Sequence, residues 1–416
     1  MKKMKLFEFP FLIFITWYFM PIANGIFPNE TWKIPFFCCY AGSMFLLILF
    51  ANPKNKQNQT LDKRCEFNII IPIICYMIVF VCFWLMDWQD SREHIRVSFT
   101  FWGIYLFYYL SGTQVESRNR IAKWLIFMYV ITYITTLIGL ITDTSAVRAL
   151  SHAATADEIR TEYLLRNISG IMLVQTSVFI VPFAFYLAVY KKDVKKKARI
   201  CSIIFLFVEL YFLVSASLSI ALLLYFAAII LSILFCSKDV LLKCIVLIVF
   251  ILCIMFVNFE SVFLYLSDNI GNEYIEDRFR SLAAMFAGEG AEGDVALRLD
   301  LYTSSLETFW KNPFGVGPNY SYEMFDEGIG HHSQLFDDLA RYGIFGLIFY
   351  ITYLRAFYKL LKKKYQRIGL ETIVLPTIIL YISMLIFNLA FRTATEAIFV
   401  LYLLPAFADI LYYKKQ

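Results

Sequence analysis

Runs of apolar residues, each about as long as a membrane-crossing helix, recur along the whole chain between short polar stretches. Because about 20 apolar residues span the hydrocarbon core of a bilayer, this pattern predicts an all-α polytopic membrane protein with about 12 transmembrane helices. We treat residues 1–416 as a single integral membrane domain. The helices are expected at 6–27, 34–51, 67–86, 95–111, 123–142, 167–190, 199–216, 218–236, 241–259, 335–361, 370–391 and 394–412.

Two polar intervals, 143–166 and 260–334, are too long to be simple connections between such helices. The shorter interval has mixed charge and is expected to form a short amphipathic helix that ends with Arg160 and Arg166. The longer interval is expected to be a large loop that carries the functional site. Both are predicted to lie on the same side of the membrane.

A helical spacing begins at the end of the longer interval. The positions of one helix face, counted from His332, are occupied by Phe336, Leu339, Gly343 and Gly346. This spacing places His332 at the start of a helix, on the face that packs inward. Two glycines on that face would let a neighbouring helix approach closely.

The charge distribution indicates how the chain lies in the membrane. Only 17% of residues are charged and 60% are hydrophobic, whereas soluble domains are about 25% charged. The net charge of +5 does not indicate nucleic-acid binding, because the basic residues collect in the short loops of one side. The positive-inside rule makes that side cytoplasmic, so both termini are expected inside and the two long intervals outside.

Lys and Arg are distributed differently between the two sides. Lys accounts for 20 of the 25 basic residues assigned inside, and Arg for 10 of the 12 assigned outside. The planar guanidinium of Arg binds phosphate or carboxylate through two parallel hydrogen bonds, whereas Lys presents a compact charge. The outer face is therefore predicted to hold an anion. The simpler alternative is pairing with outer Asp and Glu residues, and we expect about half of the outer Arg to do only that.

Few ionisable residues fall within the predicted helices. Those expected within the membrane, away from the loops and helix starts, are Glu209, Arg355 and Asp409. The last two lie near helix ends, where they are expected to extend towards water. An ion-coupled transporter would place several ionisable groups at mid-membrane. No Cys or His cluster has metal-ligand spacing, so no metal site is predicted. Polar residues concentrated outside favour an enzyme acting at the outer membrane boundary.

The segment from Arg298 to Gly346 resembles the bacterial O-antigen ligase and O-antigen polymerase superfamily. Members carry an Arg, then a turn rich in Pro and Gly, and then a His followed by Asn or Ser, apolar residues and two glycines. The corresponding residues here are Arg298, Pro313, Gly315, Gly317, His332, Ser333, Phe336, Leu339, Gly343 and Gly346. One departure is Leu218, which stands where members often carry an Arg.

The resemblance implies a reaction and its surroundings. Members transfer a glycan from an undecaprenyl-diphosphate carrier to an acceptor hydroxyl without a metal or other cofactor, at the outer face of the bacterial cytoplasmic membrane. The implied partners are the lipid-linked oligosaccharide, the bilayer, a chain-length regulator and a flippase. Arg298 is the first candidate to bind the diphosphate, Arg166 and Arg160 are the second, and Arg278 and Arg280 the third. His332 is the candidate base or acceptor-orienting group, with His331 as the alternative. Tyr320 is a candidate to stack on sugar.

Three functions are consistent with the sequence. The first is polymerisation of lipid-linked repeat units of a surface polysaccharide, either O-antigen or capsule. The second is ligation of a finished glycan to lipid A core, as in lipopolysaccharide. The third, from another class, is transport of lipid-linked glycan by a flippase. For His332 alone, a residue bonded to a loop carbonyl at a helix start is the simpler interpretation, and Tyr320 can be an interfacial anchor.

Overall fold

The computed structural model describes a helical protein. The described residues are 5–50, 60–86, 104, 106–111, 115–150, 156–191, 193–216, 218–269, 273–288, 293–317, 328–330, 332–387 and 402–415. Their helices are α1 (Glu8–Phe19), α2 (Pro21–Ile26), α3 (Asn29–Phe50), α4 (Thr60–Met86), α5 (Val115–Thr142), α6 (Ala146–Ala149), α7 (Asp157–Leu165), α8 (Ile171–Ser177), α9 (Val181–Val189), α10 (Lys196–Ser215), α11 (Ser219–Cys236), α12 (Val240–Phe256), α13 (Phe259–Asn269), α14 (Glu273–Ala287), α15 (Gly293–Lys311), α16 (Gln334–Gln366), α17 (Val374–Phe387) and α18 (Leu404–Lys415).

Several of these helices are long and apolar enough to cross a membrane. Within the described residues there are five such segments: Trp32–Leu49, Val115–Thr142, Ile171–Val189, Lys196–Ser215 and Gln334–Gln366. Shorter apolar helices cover Glu8–Phe19, Phe67–Cys82, Ile220–Cys236, Val240–Val249 and Glu371–Phe387. The all-helical, multi-pass membrane class is therefore confirmed, whereas the number twelve stays a prediction. Of the helices expected at 95–111 and 394–412, residues 95–103, 105 and 394–401 lie outside the described residues.

Large apolar side chains on the surface of the long helices are consistent with a lipid environment. Ile34, Phe207 and Leu241, on α3, α10 and α12, are 76%, 72% and 69% exposed. In water, contiguous exposed apolar surface of this kind would drive association. A bilayer accepts it because its hydrocarbon core is equally apolar.

The predicted helix 6–27 is divided into α1 and α2. Pro21 disfavours helical geometry at the preceding residue, and Met20 has extended backbone angles of φ −94° and ψ 120°. The indole of Trp17 donates to the carbonyl of Phe27 at 2.9 Å, and the Asn24 amide donates to the carbonyl of Trp17 at 2.8 Å. These contacts fold α2 back beside the end of α1, and the prediction of one continuous helix is wrong.

The two intervals expected to be loops contain several helices. Residues 260–334 include most of α13 together with α14 and α15, and 143–166 includes α6 and α7 instead of one short helix. The rings of Phe263 and Phe279 stack at 5.7 Å between α13 and α14. Hydrophobic packing therefore organises the longer interval as it does the rest of the chain.

α16 lies at the centre of the helix bundle and packs against α4, α15, α17 and α18. Its buried rings lie one turn apart: Phe349 stacks on Tyr353 at 5.3 Å, and Tyr353 stacks on Phe357 at 5.9 Å. Tyr76 of α4 packs on the same row, 4.3 Å from Phe349. Offset aromatic pairs contribute about 0.5–1.5 kcal/mol beyond their buried area, so this row ties α4 to α16.

A cluster of opposite charges joins three helices at the end of the bundle assigned to the cytoplasm. Lys364 of α16 donates to both carboxylate oxygens of Asp409 at 2.9 and 2.8 Å, and Arg118 of α5 lies 3.3 Å from the same carboxylate. The guanidinium of Arg118 also stacks on the ring of Tyr108 at 4.1 Å. The prediction that Asp409 extends towards water is wrong, because its carboxylate turns inward to two buried cations. Arg355, by contrast, is exposed.

Removing the carboxylate should destabilise the bundle. The side chains of Lys364 and Arg118 are only 2% and 5% exposed, so Asp409→Asn leaves two buried cations without their counter-charge. A single uncompensated buried charge costs about 3–5 kcal/mol, and we expect a marked fall in the unfolding temperature of the detergent-solubilised protein. Glu371→Gln, which removes an exposed carboxylate, is the control. Equal unfolding temperatures for the two variants would contradict a structural role for the cluster.

Candidate functional site

The helix that carries Arg298 presents a row of buried residues to α16. Leu301, Ser305 and Thr308 of α15 are buried at helical spacing, and the ring of Tyr302 meets Phe336 edge-on at 5.9 Å. Arg298 is half-buried, one turn before Leu301 on the same face. α15 begins at Gly293, so Arg298 lies in its second turn.

Three hydroxyl groups of α15 hold the chain segment that precedes α16. Ser304 and Thr308 donate to the carbonyl of Gly328 at 2.8 and 2.9 Å. Ser305 accepts from the N–H of Gly330 at 2.9 Å. Gly330 also lies so close to the backbone of Leu301 that a Cβ would clash there. Residues 328–330 are therefore fixed on α15, about one turn from Arg298.

His332 follows this anchored segment. Its Nδ1 lies 3.0 Å from the carbonyl of Gly330, and the residue is exposed. A carbonyl only accepts hydrogen bonds, so this contact requires the proton on Nδ1 and leaves Nε2 of the neutral ring as an acceptor. The simpler interpretation, a histidine bonded to a loop carbonyl, describes the contact correctly, and the ring nevertheless keeps one nitrogen available.

The predicted inward orientation of His332 is wrong. The helix starts later than the spacing indicated: Ser333 is the N-cap, its hydroxyl accepting from the N–H of Phe336 at 3.2 Å, and α16 begins at Gln334. His332 thus lies outside the helix. Asp337 lies in the first turn of α16, where a carboxylate is favoured by the helix dipole, and its Oδ1 accepts from Ser305 at 2.8 Å.

α16 is broken at Gly343. This residue has φ +58° and ψ −139°, a conformation open almost only to glycine. A Cβ on Gly346 would lie 2.8 Å from the carbonyl oxygen of Asp338, although residues eight apart in a straight helix are about 12 Å apart along its axis. The bend is therefore sharp. Residues 344–366 form a straight stretch of about 34 Å by the rise per residue, enough to span a bilayer.

The turn at Pro313–Gly317 fills the break. The N–H groups of Val316 and Gly317 donate to the carbonyls of Ala340 and Arg341 at 3.1 and 2.9 Å. In return, the carbonyl of Pro313 accepts from the N–H of Ile344 at 2.8 Å. A helix end leaves such groups without intrahelical partners, and here the turn supplies them from both sides of the break. Positive φ values of 92° and 96° at Gly315 and Gly317 let the turn reach this geometry.

Gly343 was expected to admit a neighbouring helix. The structure places the turn there instead: a Cβ on Gly343 would clash with the carbonyl of Pro313 and the backbone of Phe314 and Gly315. The expectation of close backbone approach was sound, but the partner is a turn. The face counted from His332 also ends at this break, because the residues beyond it follow a second helix axis.

A buried polar cluster inside the bend was not identified from the sequence. Asp338 accepts from Gln334 at 2.7 Å and from the hydroxyl of Tyr350 at 2.6 Å, and lies 3.5 Å from Arg341. The Asp338 and Arg341 side chains are each 4% exposed. Tyr350 lies beyond the break, so the cluster links both halves of α16. The spacing of Gln334, Asp338 and Arg341 along one face was the available signal.

The other predicted site residues lie elsewhere or outside the described residues. Arg280 of α14 is exposed and pairs with Glu276 at 2.7 Å, and α14 packs against α15. Arg160 donates to the carbonyl of Leu150 at 3.3 Å. Arg166 lies 3.5 Å from Glu162 and donates to Thr142 at 3.3 Å. The side chain of Arg278 and the whole of His331 and Tyr320 are not among the described residues.

Arg166 is held at the end of α7 by a defined helix stop. Asn167, at φ 57°, donates its N–H to the carbonyl of Leu164, and the N–H of Ile168 reaches back to Tyr163 at 3.0 Å. This is the Schellman arrangement, with Asn in the place usually taken by Gly. α7 packs chiefly against α2 and α6, whereas α15 packs against α14 and α16. The structure therefore places Arg298 and His332 in one unit and Arg160 and Arg166 in another.

The carboxylate of Asp143 accepts a hydrogen bond from Tyr163 and so joins the two ends of the shorter interval. Burial raises the pKa of Asp143, but hydrogen bonds from Tyr163 and Ser145 outweigh it and leave the pKa below its ordinary value. The same hydrogen bond raises the pKa of Tyr163. The pair keeps α7 against the end of α5.

Within the described part of the chain, no group of three or more His, Cys, Asp or Glu could hold a metal ion.

One comparison with known proteins bears on the chain. The family model described as O-antigen ligase matches residues 201–351. The matched range contains α15, the turn that fills the break, His332 and Gly343, and it excludes Arg160 and Arg166. It confirms the resemblance found in the sequence. No curated protein matches the chain.

Replacing Gly343 tests the break. Gly343→Ala forces a Cβ into the backbone of the turn at a backbone conformation that alanine avoids, which we expect to cost about 2–4 kcal/mol. The unfolding temperature of the purified protein should fall. Gly42→Ala in α3 is the matched control, because a Cβ there meets nothing within 4 Å and alanine is the better helix former. A Gly343→Ala protein as stable as the Gly42→Ala protein would contradict the described packing.

Proposed function

We propose that this multi-pass membrane protein is a polymerising glycosyltransferase. The match of residues 201–351 to the family model described as O-antigen ligase supports the proposal. Its substrate would be undecaprenyl-diphosphate-linked repeat units of a surface polysaccharide, either O-antigen or capsule. The observation that carries the proposal is the anchoring of Gly330, and through it His332, on the helix that carries Arg298.

The reaction joins an acceptor hydroxyl to the anomeric carbon of a lipid-linked sugar. The hydroxyl oxygen forms the new C–O bond while the bond between that carbon and the diphosphate oxygen breaks. The diphosphate leaves with the bonding electron pair, and the hydroxyl proton passes to a base. Two protein groups assist: a cation for the growing charge of the diphosphate and an acceptor for the proton.

The residues at the site fit these two tasks. Arg298 would bind the diphosphate, since a guanidinium donates two parallel hydrogen bonds to phosphate oxygens. His332 would accept the proton at Nε2, because its Nδ1 is turned to the carbonyl of Gly330 at 3.0 Å. Leu301, whose backbone contacts Gly330, is one turn of α15 from Arg298. Arg298 and His332 can therefore act on one substrate. Arg280, paired with Glu276 at 2.7 Å, is a weaker candidate.

The proposed location is the outer face of the bacterial cytoplasmic membrane. The positive-inside pattern assigns α15 and the start of α16 to that side and both termini to the cytoplasm. A lipid diphosphate at that boundary would have its headgroup at the water interface and its hydrocarbon tail among the apolar helices. The exposed position of His332 is consistent with an acceptor arriving from water. A flippase and a chain-length regulator are the partners that such an enzyme would need.

Ligation of a finished glycan to lipid A core is the second candidate, because the matching family model is described as O-antigen ligase. The same two residues would serve either reaction, since both transfer a glycan from a lipid diphosphate to a hydroxyl. The difference is the acceptor. The flippase alternative would need paired charges along a membrane cavity. The described buried pairs, Lys364 and Arg118 with Asp409 and Arg341 with Asp338, instead hold helices and helix halves together.

Replacing the two central residues tests the activity. Arg298→Ala and His332→Ala should each abolish polymer formation while single repeat units accumulate on the carrier, as seen by mass spectrometry of extracted lipids. Arg298→Lys should also fail, because lysine cannot form the paired hydrogen bonds. Lys311→Ala, which removes an exposed cation from the far end of α15, should leave polymer length unchanged.

The accumulated product separates the candidates. A ligase defect would leave complete polymers on the carrier, and a flippase defect would keep single units on the cytoplasmic side of the membrane. Wild-type polymer from both alanine variants, at normal protein levels, would overturn the proposed site.

A further inference from the structure

Ser305 occupies a position between a buried carboxylate and the backbone that holds His332. Its hydroxyl donates to Oδ1 of Asp337 at 2.8 Å and accepts from the N–H of Gly330 at 2.9 Å. Ser305 is 0% exposed and Asp337 1% exposed. Buried hydrogen bonds of this kind are strong and costly to leave unmade, so the two residues fix where Gly330 lies.

The hydrogen-bonded chain continues to the imidazole. The carbonyl of Gly330 meets Nδ1 of His332 at 3.0 Å, and the backbone of Leu301 prevents any shift of Gly330 towards α15. The carboxylate can only accept, which commits the single hydroxyl proton of Ser305 to Asp337 and leaves an oxygen lone pair for Gly330. The N–H of Gly330 can only donate and its carbonyl can only accept, so every hydrogen bond in the series has one possible direction.

We propose that Asp337 and Ser305 are positioning residues for His332, holding Gly330 so that its carbonyl takes the Nδ1 proton and Nε2 stays the proton acceptor. This inference rests on the proposed function for its catalytic meaning. Its structural content, the tautomer of His332, does not depend on that function. Neither residue contacts the substrate; both act through the orientation of the ring.

The tautomer can be read directly. The chain has four histidines, so protein labelled with ¹⁵N at histidine gives few ring signals, and a His332→Gln sample identifies those of His332. In the wild-type protein at a pH where the ring is neutral, the proton should reside on Nδ1. Ser305→Ala should give a mixture of tautomers. A wild-type ring protonated on Nε2, or an unchanged signal in Ser305→Ala, would overturn the proposal.

Kinetics with a lipid-diphosphate oligosaccharide in nanodiscs provide a second readout. Ser305→Ala should lower kcat by about 10- to 100-fold, less than the roughly 10²–10⁴-fold that base catalysis contributes, because the His332 ring is still present. The KM for the lipid donor should change little, because Arg298 is intact. Ser305→Thr, which keeps the hydroxyl, should recover most of the rate. Asp337→Asn should do better than Asp337→Ala, because the amide oxygen can still accept from Ser305.

Ser304→Ala is the matched control on the same helix. Ser304 donates to the carbonyl of Gly328, but Thr308 donates to the same carbonyl, so one anchor remains and kcat should fall much less. If Ser305→Ala is active and His332→Ala is inactive, the positioning role is rejected but the proposed function is not. An active His332→Ala enzyme would reject the proposed function, whatever the tautomer.

Discussion

The backbone hydrogen bonds between the turn at Pro313–Gly317 and the break in α16 are the constraint on which the rest of the site depends. A helix interrupted at Gly343 exposes carbonyl groups on one side and an N–H on the other, and in a membrane protein such groups must find partners within the chain. The turn supplies them from the end of α15. As a result, α15, the turn and both halves of α16 form one unit, and this unit carries Arg298 and His332.

The sequence predicted the features that depend on local patterns. Apolar stretches indicated the helices, and Pro313, Gly315 and Gly317 indicated a turn, since these residues favour bends wherever they occur. Gly343 was expected to permit close backbone approach, and it does. The sequence could not predict that the turn packs against the break. The hydrogen-bonded residues are 24 or 31 positions apart, and the bonds join backbone N–H and C=O groups, which nearly every residue type has.

The errors at His332 and Asp409 have a common physical origin. Helical spacing assigns a residue to a face only while the helix is continuous. It failed at His332 because Ser333 is the N-cap and α16 begins at Gln334. It failed beyond Gly343 because the helix axis changes there. Asp409 was assigned to water because it lies near a helix end, yet Lys364 and Arg118 from two other helices reach it. Long-range pairing of this kind is invisible in a single helix pattern.

The prevalence of Arg over Lys on the side assigned to the outside is explained in part by pairing. Arg166, Arg280 and Arg341 each have an acidic neighbour, and the buried pair of Arg341 with Asp338 lies inside the bend of α16. Arg298 differs in its placement: it lies one turn from the anchored segment before His332. Its position relative to the broken helix, more than the number of guanidinium groups, is therefore the reason for proposing Arg298 as the diphosphate-binding residue.

Hydrogen exchange of the protein in nanodiscs, resolved to single amides, tests the docking of the turn most directly. The amides of Val316, Gly317 and Ile344 donate across the break, so they should exchange at rates close to those of the helix core and far more slowly than the exposed turn at 193–195. Exchange of Val316 and Gly317 as fast as that exposed turn would show that the break is not filled. It would contradict the description of α15, the turn and α16 as one unit that carries Arg298 and His332.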